Sequence, residues 1–117
     1  MKYVDDAVTF ETAEAECYSA GNALVFMADS QEKLEIVRQL EPSERVWVGL
    51  EDRGEEGVYR WVDGRLATAE HMGLYNVNEP NDYGGDEDCT VVKNDITLLN
   101  DVHCSIPYRY ICEIPMQ

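Results

Sequence analysis

Cysteines stand at positions 17, 89, 104 and 112 of a 117-residue chain, and they limit the folds open to it more than any other feature. An even set of four in so short a chain reads as two disulfide bridges and an oxidising compartment. Spacing alone leaves three connectivities open. A structural zinc site is the rival reading, but no Cys-x-x-Cys pair is present, and His103-Cys104 is a poor match to zinc-ligand spacing. No apolar run approaches the ~20 residues that a membrane-spanning helix requires. No signal-peptide pattern opens the chain, so a secreted origin would make this numbering that of a mature or recombinant form.

The length suits one domain covering residues 1–117, able to bury about 65% of its unfolded surface. Acidic residues outnumber basic ones 24 to 9. That balance excludes a nucleic-acid footprint, which needs basic side chains against phosphate, and it equally disfavours docking on anionic lipid.

Hydrophobic periodicity predicts two helices followed by strands. Phe10, Ala13, Cys17 and Ala20 recur at helical spacing, with Glu11 and Glu14 on the other face, Thr9 as N-cap and Gly21-Asn22 as the stop. Ala23 to Ala28 reads as a short buried strand. Asp29-Ser30-Gln31-Glu32 offers a capping box for a second helix that would bury Ile36, Val37 and Leu40, expose Gln31, Glu35 and Arg38, and end at Pro42. Strands are predicted at residues 46–50 and 58–62, the second ending at the turn signal Asp63-Gly64, and again at 89–92, 96–99 and 108–114. Residues 64–88 lack periodicity, and a loop of that length in a small domain tends to be functional. The pattern is that of an α+β domain.

Five carboxylates crowd the stretch Glu79-Pro80-Asn81-Asp82-Tyr83-Gly84-Gly85-Asp86-Glu87-Asp88-Cys89, and Asn100-Asp101 follows it. So many oxygens would repel one another without a positive centre among them. A hard divalent ion such as Ca2+, with its roughly 6–8 oxygen ligands, meets that need. The spacing is not that of an EF-hand, because no Asp-x-Asp-x-Asp-Gly run precedes a Glu at the required interval.

With these residues in view, the chain resembles a C-type lectin-like domain of the short form over nearly its whole length. Trp47-Val48-Gly49-Leu50 resembles that family's Trp-Ile-Gly-Leu core strand, and Glu79-Pro80-Asn81 resembles its mannose-type tripeptide. The resemblance implies two helices packed on small antiparallel sheets, a long calcium-binding loop, and bridges Cys17–Cys112 and Cys89–Cys104. Closing loops of those sizes contributes on the order of 4–5 and ~3 kcal/mol respectively on the chain-entropy account. It implies a primary calcium site, which is also the sugar site, from Glu79, Asn81, Glu87, Asn100 and Asp101. It also implies an auxiliary calcium site from Asp52, Glu56, Asp82, Asp88 and a bridging Glu87. Pro80 would follow a cis peptide bond that aims Glu79 and Asn81 at one ion.

The implied function is calcium-dependent carbohydrate binding by a secreted, non-enzymatic protein. Two adjacent sugar hydroxyls would complete the ion's shell while bonding protein ligands. A carboxylate only accepts and an amide nitrogen only donates, so their order around the ion selects the sugar. Glu-Pro-Asn suits vicinal equatorial diols of mannose, glucose or N-acetylglucosamine, and an equivalent pair on fucose; the galactose-type Gln-Pro-Asp is absent. Tyr75 and Tyr83 flank the tripeptide as candidate stacking partners, through which a galactose preference would arise. A calcium-stabilised module that binds protein or ice is the reading from another class. Leu99 and Tyr75 stand where the family often carries tryptophan, changes that bear on loop packing and sugar choice. His71 and His103 read as surface or packed residues, and no nucleophile with its base can be assembled, so no catalytic residue is expected. Weak single-site contacts would draw avidity from several sites, as in a homo-oligomer.

Overall fold

Val46, Val48 and Leu50 leave one side of a strand and Trp47 leaves the other, yet all four are buried. A strand covered on both faces needs a layer above and a layer below. The computed structural model describes residues 2–40, 45–55, 57–74, 88–92 and 99–114. It consists of β1 (Lys2–Val8), α1 (Phe10–Ser19), β2 (Leu24–Val25), α2 (Gln31–Leu40), β3 (Val46–Glu51), β4 (Arg60–Trp61), α3 (Ala69–Met72), β5 (Cys89–Val92), β6 (Leu99–Val102) and β7 (Tyr108–Glu113).

The seven strands among the described residues join in one sheet with the order β1-β7-β3-β5-β6, while β2 adds to β7 and β4 to β3. One face gathers Phe10, Ala13, Cys17, Val25, Trp47, Val91 and Tyr110 beneath α1. The other gathers Phe26, Leu34, Val37, Val48, Leu50, Val92 and Ile111 beneath α2. The two-residue repeat of β3, β5 and β7 thus divides each strand between two cores. Trp47 anchors the first: its indole N–H donates to the Val8 carbonyl at 2.8 Å, and its ring meets Phe10 and Tyr108 edge-on. On the second, the buried Glu113 carboxylate accepts from the Met27 N–H at 2.5 Å and from Lys33 Nζ at 2.9 Å, tying α2 to β7.

The disulfides join Cys17 to Cys112 and Cys89 to Cys104, with Cα–Cα distances of 5.4 and 5.2 Å. Thr9 caps α1, accepting from the Thr12 N–H, and Gly21 and Asn22 end it at φ values of 109° and 61°. Only glycine and a few short polar residues tolerate that region readily.

Several expectations need correction. A strand, β1, precedes the helices; its two aspartates hide it in the sequence, and pairing with β7 supplies what propensity does not. The strands do not form small antiparallel sheets only, since β3 and β7 run parallel within the single sheet. Ala20 is exposed because it caps α1 rather than continuing its buried stripe. Among the described side chains of α2, Leu34 and Val37 are fully buried and Ile36 is only half-buried, while the side chain of Leu40 lies outside them. The buried run at 23–28 is a strand only at Leu24–Val25, and that at 58–62 only at Arg60–Trp61. The aperiodic stretch begins with a short helix, α3. The expected strand at 96–99 is described from Leu99 onward and runs on to Val102, so Asn100-Asp101 lies inside a strand. Pro42 lies outside the described residues.

Candidate functional site

The site begins at one end of the central strands. β3 ends at Glu51 opposite Cys89, and beyond that pair the Asp52 N–H donates to the Asp88 carbonyl at 3.0 Å. β5 then pairs with β6, placing Asp101 opposite Thr90 and Asn100 opposite Val91. The Cys89–Cys104 bridge ties the start of β5 to the turn after β6. Four expected ligands far apart in sequence, Asp52, Asp88, Asn100 and Asp101, are therefore carried by three adjoining segments.

Their environment is uncommon for such side chains. Asp52, Asn100 and Asp101 are 3%, 8% and 3% exposed. Asp52 Oδ2 accepts from the Gly57 N–H at 2.9 Å, which closes the turn after β3. Asp88 Oδ1 and Asn100 Nδ2 are buried and meet no hydrogen-bond partner among the described residues. Leaving such a group unsatisfied costs on the order of 1–3 kcal/mol, so both atoms require a partner from elsewhere. The donor chemistry fits a hard cation: a carboxylate oxygen is a natural calcium ligand, and an amide that turns its oxygen to an ion leaves its N–H2 to donate.

The cation nearest in sequence, Arg53, is engaged on another surface. Its guanidinium donates to Glu51 at 2.6 Å and to Glu14 at 2.8 Å and lies over the Phe10 ring. Burial works to lower its pKa but is outweighed by Glu51 and then Glu14, which raise it above the ordinary arginine value.

Of the remaining expected ligands, Glu56, Glu79, Asn81, Asp82 and Glu87 lie outside the described residues, as do Tyr75, Pro80 and Tyr83. Among the described residues alone, no three His, Cys, Asp or Glu side chains converge as a metal cluster. Leu99 is fully buried, and its N–H donates to the Leu74 carbonyl at 3.0 Å, joining β6 to the segment just after α3. A cavity of about 440 Å³ lies elsewhere, between β1, α1 and β7, and holds none of these ligands. Tyr110 lines it, with a hydroxyl pKa raised by burial first and then by Glu16 and Asp6.

His71 has a more defined place than its isolation in sequence suggests. It sits in α3 with Nδ1 accepting from the Trp61 indole at 3.0 Å and from the Thr68 N–H at 3.1 Å. The Thr68 hydroxyl accepts from the His71 N–H in return. The Thr-x-x-His spacing was the available signal, because it places a side-chain acceptor where capping boxes usually carry Glu or Gln.

Comparison with known proteins gives a consistent picture. The lectin C-type domain family model matches residues 6–114. Hepatic lectin of Gallus gallus is 35% identical over 109 residues, which is 93% of this chain and 51% of that protein. C-type lectin domain family 4 member E of Homo sapiens is 33% identical over 113 residues, again 93% of this chain and 51% of the relative. This chain thus spans about half the length of those two relatives. The trimeric structure of the Kupffer cell C-type lectin receptor Clec4f superposes with a TM-score of 0.82 at 33% identity. The match covers 95% of this chain and 74% of that one.

Proposed function

Because the chain belongs to the C-type lectin domain family, we propose that it binds carbohydrate in a calcium-dependent manner at the end of β3, β5 and β6. The observation that carries this reading is the pair of buried, unsatisfied atoms Asp88 Oδ1 and Asn100 Nδ2 beside the buried acids Asp52 and Asp101. Asn100 and Asp101 would hold a primary ion together with Glu79, Asn81 and Glu87. Asp52 and Asp88 would hold an auxiliary one with Glu56, Asp82 and Glu87. Bound Ca2+ would supply a positive centre with coordination positions open to hydroxyl oxygens.

The side chains do the rest. Carboxylates accept from sugar hydroxyls and the asparagine amides donate to them, so the Glu79–Asn81 pair selects the vicinal diol of mannose, fucose or N-acetylglucosamine. Aromatic stacking on Tyr75 or Tyr83 would tilt the choice toward galactose. The two disulfides accord with an extracellular location. The protein acts as a binding module without catalysis, and Clec4f, a trimer, is the relative that favours oligomeric presentation.

A glycan array run with calcium and again with chelator tests the reading. Mannose-terminated glycans should bind only with calcium, and free mannose should compete better than galactose. Binding that survives EDTA would refute the calcium role, and the opposite sugar order would refute the specificity.

A further inference from the structure

We propose that His71 is a positioning residue for this ligand site, acting as a neutral acceptor whose protonation loosens the segment joined to β6; this rests on the site reading above. A single in-plane lone pair on Nδ1 takes two N–H groups, one from Trp61 on β4 and one from Thr68 at the start of α3. The imidazole and indole rings meet edge-on, with centroids 5.1 Å apart at 87°. An imidazole that accepts at Nδ1 carries its proton on Nε2. Adding a proton at Nδ1 turns the shared acceptor into a donor facing two donors, and both bonds are lost together.

The consequence reaches the site through the backbone. α3 ends at Met72, the Leu74 N–H donates to the His71 carbonyl at 3.0 Å, and the Leu74 carbonyl accepts from Leu99, the residue before Asn100-Asp101. The clasp therefore fixes the helix whose following residue, Leu74, is hydrogen-bonded to β6. Among the described residues, the charged groups around it are Glu70 in α3 and Arg65, whose guanidinium lies 5.9 Å from the centre of the Trp61 ring. Asp29 and Asp63 hold Arg65 by ion pairs of 3.0 and 2.7 Å. Arg60 is exposed on β4, and Glu32 of α2 lines the same cleft as Asp29, Glu70 and Leu74. Histidine is the side chain whose charge ordinarily changes between about pH 5 and 8. The bonds hold with neutral imidazole, so their loss grows as pH falls.

Two tryptophans make the test direct, because Trp47 is bonded to the Val8 carbonyl and serves as an internal control. Two-dimensional 1H–15N NMR of the protein from pH 7.5 to 5.5 should move the Trp61 indole resonance upfield and leave that of Trp47 in place. Calcium and mannose affinities measured over the same range give the second arm. His71→Asn, which keeps a non-titrating acceptor near Nδ1, should bind like wild type at pH 7.5. At pH 5.5 it should retain about fivefold to tenfold more affinity, the scale of one or two lost hydrogen bonds. His71→Ala should bind weakly at both pH values.

A Trp61 resonance that does not titrate overturns the proposal, and so do identical affinity profiles for wild type and His71→Asn. Absence of calcium and mannose binding at pH 7.5 overturns the site reading and the positioning role with it. The indole resonances tell that failure apart from failure of the clasp, since they need neither ligand.

Discussion

Gly49→Ala is the sharpest test of how the core supports the site. Gly49 lies in β3 where the 24–26 segment crosses closest. Its N–H donates to the Phe26 carbonyl at 2.7 Å, and its carbonyl accepts from Val62 at 2.9 Å. A Cβ built there would sit 2.6 Å from the Val25 carbonyl oxygen and 2.7 Å from Val62 Cγ2. Both gaps fall short of ordinary contact by roughly 0.7–0.8 Å. Val62 can turn its side chain, but the Val25 oxygen is backbone held by the pairing of β2 with β7 and by the Phe26 N–H on Ile111. Relief therefore requires the segment to move away from β3.

Overpacking of this kind costs about 1–3 kcal/mol, and a backbone obstacle places it at the upper end. The gain from replacing a strand glycine, roughly 0.5–1 kcal/mol, offsets part of it. The net loss should be about 2 kcal/mol, which for a domain near 100 residues lowers Tm by roughly 8–16 °C. Urea unfolding with the disulfides intact measures this, and Gly54→Ala is the control. A Cβ at Gly54 meets nothing within 4 Å, so that variant should change stability by less than ~0.5 kcal/mol. Equal stability of the two variants would refute the close-approach argument.

Further outcomes are expected elsewhere. Glu113→Ala should cost about 2–4 kcal/mol, because it strands the Met27 N–H and a Lys33 ammonium whose side chain is only 22% exposed. Chemical denaturation of Glu113→Ala, Lys33→Met and the double variant would expose the coupling, and additive effects would argue against it. Replacing Cys89 and Cys104 together by serine should remove up to about 3 kcal/mol and weaken calcium binding, since the bridge closes a 15-residue loop beside Asp88. Unchanged calcium affinity in isothermal titration would separate the bridge from the site. Asn100→Ala should abolish calcium-dependent mannose binding while leaving the melting temperature in EDTA within a few degrees of wild type.

The elements legible in the sequence are those whose local chemistry and tertiary role agree. Thr9 and Gly21-Asn22 bracket α1 because capping is decided within a few residues. The apolar run Val46–Leu50 reads as a strand, and β3 forms there with both faces buried. β1 is hidden because its register with β7 comes from residues a hundred or more positions away. α3 was hidden because four helical residues carry no periodicity, only a cap. At the site, Asp52, Asp88, Asn100 and Asp101 are ligands that the family resemblance implies, and the sheet carries them on adjoining segments. Their burial was not legible, since charge suggests exposure until a neighbour is known. The role of His71 needed Trp61 placed beside it, ten residues earlier in the chain.

Lys2 stands opposite Cys112 in the pairing of the edge strand β1 with β7. A host polypeptide would thus come in and go out at a single place, so this unit can hang from a stalk or sit between neighbours without being stretched between them. Linking residue 2 to residue 113 through a short glycine-rich bridge and opening the chain at an exposed turn such as 63–64 should accordingly preserve the same arrangement of strands.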